Sequence, residues 1–199
     1  MKKILAIICG LLLIGATANA QSGLISLGVK GGIGASNYDL SNAAGVSTEG
    51  TASWHVGGMF RTNIPVLPIY AQVEALYSRV GGKISIAGGV EQDTYINRFD
   101  VPIVAGLKFG LLGISGRVFG GAVAQANLSD NFSDISSDIK TESFVWGWQA
   151  GIGADIRKLT VDVKYEAGSD LITEQTGAPS IKSTQWIVSL GWFFGGGDD

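Results

Sequence analysis

Between Leu159 and Gly168 the chain alternates without a break. Leu159, Val161, Val163, Tyr165 and Ala167 are apolar or aromatic, while Thr160, Asp162, Lys164, Glu166 and Gly168 are polar or small. A period of two places successive side chains on opposite faces of a strand, so this segment has one greasy and one charged face. The same code recurs along the chain and ends with Trp186, Val188, Leu190, Trp192 and Phe194 on one face of the last alternating run. Charge on one side and lipid-compatible side chains on the other are what a strand needs to line a closed barrel in a membrane.

Composition agrees. Only 16% of the 199 residues are charged and 30 are glycine, against about 25% charged and about 7% glycine in a soluble domain. Many glycines fall inside the alternating runs, as at Gly57-Gly58 and Gly120-Gly121, where they make room for large neighbours and let strands bend. The net charge of −3 and the lack of a Lys/Arg cluster argue against a nucleic-acid partner.

Residues 1–20 read as a secretory signal peptide. Lys2 and Lys3 precede an apolar run from Ile4 to Ile14, and Ala18-Asn19-Ala20 supplies a cleavage site before Gln21. Ile8 before Cys9, the sole cysteine, argues against a lipoprotein anchor; without Cys9 the mature chain has neither disulfide nor thiolate metal site. No apolar stretch of about 20 residues follows, so any membrane crossing is made of strands. The expected organisation is a signal peptide at 1–20, a barrel at 21–194 and a disordered tail at 195–199.

Alternation predicts strands over about Gly23–Ala35, Thr51–Thr62, Ile69–Gly81, Thr94–Phe109, 114–Asn127, Trp146–Arg157, Leu159–Gly168 and Ser183–Phe194. Eight strands make the smallest usual transmembrane barrel, all-β, antiparallel and up-and-down. The connections are expected to alternate long and short, with long loops outside and both termini in the periplasm. Trp54, Tyr77, Trp146, Trp148, Trp186, Trp192 and Phe194 fall toward strand ends, as aromatic girdles do. Pro102 removes a ladder donor from the fourth strand, so a bulge or register break is expected there.

The inward face collects Lys30, His55, Arg61, Glu74, Arg98, Asp100, Lys108, Arg117, Asp155, Arg157, Asp162, Lys164 and Glu166. A barrel of eight strands is only wide enough to be filled by side chains. Charges in that space have to pair, which makes a structural salt-bridge core the plainest reading and a narrow charged pore the sharper one. His55 would be the base of a lipid-modifying enzyme only if a serine and a carboxylate converged on it. Ser53 is near in sequence but carries no motif. Asp130, Asp134 and Asp138 offer oxygens to Ca²⁺, yet their spacing is not that of an EF-hand, and a solvated acidic loop explains them. Gly28-Val-Lys-Gly-Gly-Ile-Gly lies in a strand pattern without Gly-Lys-Ser/Thr and is not a phosphate loop. No cofactor or metal is expected.

Several motifs occur in order: Gly28-Val-Lys-Gly-Gly-Ile-Gly, His55-Val-Gly-Gly-Met-Phe, Val73-Glu-Ala-Leu-Tyr and Phe99-Asp-Val-Pro-Ile. In these the chain resembles the small outer-membrane β-barrel family of Bacteroidota often called PorT-like, over most of the mature length. The resemblance implies the barrel fold and an outer-membrane location. It also brings an association of the namesake with protein secretion, and no catalytic residues. Pro102 stands where the family pattern carries a proline. The expectation is therefore a non-enzymatic integral barrel with a structural, surface-interaction or secretion-associated role. Its partners would be outer-membrane lipid and envelope or secretion proteins; a small-solute channel and a lipid-modifying enzyme are the alternatives. A soluble β-sandwich would fractionate without detergent, and the outward tryptophans argue against it.

Overall fold

A computed structural model describes residues 24–40, 47–86, 90–111, 113–130, 144–168 and 181–194. The expected signal peptide, the tail at 195–199, and Asp134 and Asp138 lie outside these residues, as does the side chain of Asp130. Eight strands follow in chain order: β1 (Ile25–Leu40), β2 (Ser47–Asn63), β3 (Ile69–Ile86), β4 (Val90–Leu111), β5 (Ile114–Asp130), β6 (Phe144–Ile156), β7 (Leu159–Gly168) and β8 (Ile181–Phe193). Each pairs antiparallel with the next, and β8 returns to β1, from Gly28↔Phe193 to Leu40↔Ile181, closing the barrel. Closure leaves no free sheet edge, so every strand finds ladder partners on both sides without water.

The strands outrun the alternation. β1 and β2 extend into the expected loop at 36–50, and β3 and β4 pair as far as Ile86↔Val90, leaving only 87–89 between them. The long-and-short alternation of connections therefore fails at this hairpin. Ser, Gly, Asn and Asp are loop formers by composition, but a ladder already running satisfies their backbone groups and carries them along.

Pro102 introduces no register break. Pairing with β3 is interrupted between Val73↔Ile103 and Leu76↔Asp100 and resumes in the same register, while Pro102 stays opposite Val123 of β5. A proline removes one donor on one side, and the ladder spans that gap. The irregularities sit elsewhere, between Gly50 and Ser53 in β2 and at Asn97/Arg98 in β4. At the first, buried Ser36 of β1 shares its hydroxyl proton between Thr51 O (2.9 Å) and Gly81 O (2.5 Å), serving carbonyls next to the bulge.

Three short turns close one end of the barrel. In the β2–β3 turn, Leu67 N donates to Ile64 O at 3.3 Å across Pro65-Val66, and Ile64 N donates to Ile69 O at 2.9 Å. Val66 has φ 72°, as the third position of a type II turn requires, where glycine is the usual residue. A β-branched residue there is strained by about 1–2 kcal/mol. Val66 is also fully exposed, at 102%, and loses no packing if truncated. Val66→Gly is expected to raise stability by about 0.5–1 kcal/mol, after the greater freedom of glycine in the unfolded chain is subtracted. The check is the urea midpoint of the barrel in detergent; a lowered midpoint would refute the assignment.

Candidate functional site

Inward positions of all eight strands meet along the axis, and the charged ones form two connected groups. In the first, Asp155 of β6 takes Arg61 (2.8 Å), Arg117 (3.0 Å) and Lys108 (3.6 Å). Arg117 of β5 also reaches Asp162 of β7 at 2.5 Å, Asp162 takes Lys30 of β1 at 2.8 Å, and Lys30 ends on Glu74 of β3. In the second, Arg98 of β4 holds Asp100 (2.9 Å) and Glu166 of β7 (2.6 Å), with Lys164 at 3.6 Å from Glu166. Of these residues only Lys108, 18% exposed, keeps noticeable contact with the surface. Eleven of the thirteen residues expected on the inward face, all but His55 and Arg157, thus lie in two networks drawn from seven strands.

Neutral groups extend the networks, through partnerships that alternation along the chain does not signal. Gln72 accepts from Arg61 Nε at 2.6 Å, Gln149 accepts from Lys164 at 2.7 Å, and Gln125 and Gln185 donate to Glu166 at 3.0 and 2.8 Å. Tyr70 is fully buried, and its hydroxyl accepts from Arg117 at 3.1 Å. The Arg61 guanidinium carbon lies 4.9 Å from the Tyr70 ring and 4.6 Å from Phe193. Aromatic faces thus support the cations where carboxylates do not reach. Val80, Ile96 and Val145 take the inward positions toward the outer ends of β3, β4 and β6 and are all buried.

Arg157 departs from its expected place. It lies in the exposed β6–β7 turn with φ 54°, and its backbone N–H donates to Gly113 O of the neighbouring turn at 2.9 Å. Alternation cannot sense where a strand turns, so parity carried one residue too far.

His55 is buried and lies 3.2 Å from the Ser189 hydroxyl, over Gly32 of the intervening β1. Ser53 instead donates to Gln185 at 3.2 Å. Among the described residues no carboxylate hydrogen-bonds the His55 ring, so the serine–histidine contact lacks the group that would orient it for proton transfer. A cavity of about 10 Å³ beside His55, Ser78, Asp100 and Glu166 holds at most about one water, far below the size of a substrate site. Among the described residues no cluster of His, Cys, Asp and Glu could hold a metal.

The outer surface is the inverse of the lumen. Trp54, Trp146, Trp148, Trp186, Trp192, Ile33, Val56, Ile103, Ile152, Val188 and Leu190 are all exposed on the barrel wall. Trp148, Tyr165 and Trp186 form an outward row with ring centroids 5.6 and 5.3 Å apart. Tens of such side chains in water would be untenable for a monomer; in hydrocarbon they are at home.

Residues 19–168 match a family described as outer membrane protein beta-barrel domain. Among solved structures the chain is similar to Neisserial surface protein A, with TM-score 0.50 and 11% identity over 86% of this chain and 97% of that one. Ail, the attachment invasion locus protein of Yersinia pestis, aligns with TM-score 0.42 and 11% identity over 84% and 97%. The N-terminal β-barrel domain of Pseudomonas aeruginosa OprF aligns with TM-score 0.35 and 13% identity over 82% and 97%. No curated protein matches the chain.

Proposed function

The chain belongs to the outer membrane protein beta-barrel domain family and is an integral outer-membrane protein, and on that premise we propose that its role is structural or interactive, not catalytic or conductive. One observation carries the reading. The lumen is occupied by side chains bound to one another across it, with Asp162 held between Lys30 and Arg117 and Arg98 between Asp100 and Glu166. A permeant ion would have to break buried pairs whose separation costs several kcal/mol. What the barrel offers to other molecules then lies on its lipid face and at its ends. We assign it to the PorT-like barrels of Bacteroidota, on the motif order from Gly28 to Ile103, with envelope or secretion-assembly proteins as partners. Export would use residues 1–20, with 21–194 as the inserted barrel and 195–199 as its tail.

Planar-bilayer recording of the purified barrel is expected to show no stepwise conductance at neutral pH. Stable unitary steps would establish the small-solute channel instead. Purification from envelopes in mild detergent addresses the positive side, where a stoichiometric, salt-stable protein partner supports an assembly role.

A further inference from the structure

We propose that Arg79 is the centre of an outward-facing site for the phosphate of an outer-leaflet lipid headgroup. Among the strand residues whose side chains the structure describes, Arg79 is the one charged residue on the outward face; the others there are apolar, aromatic, glycine or uncharged polar. A permanent cation on the lipid face is costly within the hydrocarbon and tolerated only near its border. Its placement fits that border. β3 leaves the short turn at Ile69, and about 10 residues at ~3.3 Å, tilted ~40°, rise ~25 Å, the height of the apolar band. Arg79 therefore stands at the interface opposite the short turns, beside the headgroups of the outer leaflet.

The surroundings are built to present the guanidinium. Its carbon lies 4.0 Å from the centroid of the Tyr95 ring, a stacking of one face that leaves the geometry of an edge-on contact with a planar or tetrahedral oxyanion intact. Arg79 pairs in register with Trp54 on one side and Asn97 on the other. Trp54 and Tyr77, with centroids 5.8 Å apart, line the wall next to it, where interfacial aromatics meet the upper acyl chain and sugar or glycerol of a lipid. Among the residues whose side chains the structure describes, no carboxylate forms an ion pair with Arg79. Guanidinium and phosphate are matched for two parallel hydrogen bonds, and the headgroup is the anion present at that depth.

The test uses the full barrel in dodecyl maltoside, titrated with bisphosphorylated lipid A or with its dephosphorylated form and read by native mass spectrometry. The wild-type chain is expected to hold the phosphorylated lipid about tenfold more tightly, the worth of one charge-assisted contact. Arg79→Gln is expected to abolish that preference, and Arg79→Lys to keep part of it, since the ammonium retains charge without the fork. Heat-modifiable migration on gels confirms that each variant is folded, and Arg79→Lys serves as the charged reference if Arg79→Gln does not fold. An undiminished preference in Arg79→Gln overturns the proposal. So does complete displacement of the lipid by millimolar inorganic phosphate, which would make this a site for a free anion.

Discussion

Asp162→Ala is expected to destabilise the folded barrel by about 3 kcal/mol, the low end of the ~3–5 kcal/mol for breaking a buried pair. The Asp162 side chain is 1% exposed and accepts from Lys30 Nζ at 2.8 Å and Arg117 Nη2 at 2.5 Å. Removing the carboxylate leaves two cations facing each other without their shared anion. The low end applies because neither is stranded: Lys30 keeps Glu74, and Arg117 keeps Asp155 at 3.0 Å. Urea titration of the refolded barrel in micelles, followed by tryptophan fluorescence, measures the loss. Lys30→Met should be destabilising alone, yet cost less in the Asp162→Ala background than in wild type, since the pair acts as a unit. A loss below about 1 kcal/mol for Asp162→Ala would mean that the interior is hydrated enough to replace the carboxylate, and would weaken the case for a closed lumen.

Gly121→Ala carries the other large effect, for a steric reason. Gly121 of β5 faces inward opposite Val104 of β4. A Cβ there would meet Ile103 O and come within 2.7 Å of Val104 Cα. Both are backbone of the adjoining strand, so no side chain can swing aside and the ladder itself must move. The expected cost is about 3 kcal/mol, the upper part of the overpacking range, read as the same urea midpoint shift. Gly31→Ala is the control. Its Cβ would point outward with its nearest contact at 3.6 Å, His55 O, and stability should stay within about 0.5 kcal/mol of wild type. If the two substitutions behave alike, strand separation at Gly121 is wider than this packing and the lumen is looser.

The faces of the strands were legible because alternation is a local property. Nothing beyond residues 159–168 is needed to place Thr160, Asp162, Lys164 and Glu166 on one side and Val161, Val163 and Tyr165 on the other, and the burial of β7 follows that division. The number of strands and the lipid-compatible exterior follow from repeating it, together with the low charge content. Where strands end was less legible: the residues of 36–40 and 82–86 look like loop but remain paired, and Arg157 looks inward but occupies a turn. Strand ends are set by whether a neighbouring backbone is there to bond.

Partner choice was not legible at all. Asp162 and Lys30 are 132 positions apart, and Arg117 reaches Asp162 over 45. Alternation says that each faces the lumen; it cannot say at what height, because height depends on the register of every strand between them and on the shear with which β8 meets β1. The same holds for Ser189 against His55 and for Tyr95 beneath Arg79. The sequence by itself determined that this chain is a barrel with a charged inside and a lipid-facing outside, since side-chain direction is fixed residue by residue. Only the tertiary structure decided which charges neutralise one another and which ring lies against Arg79, since that depends on how the strands come together.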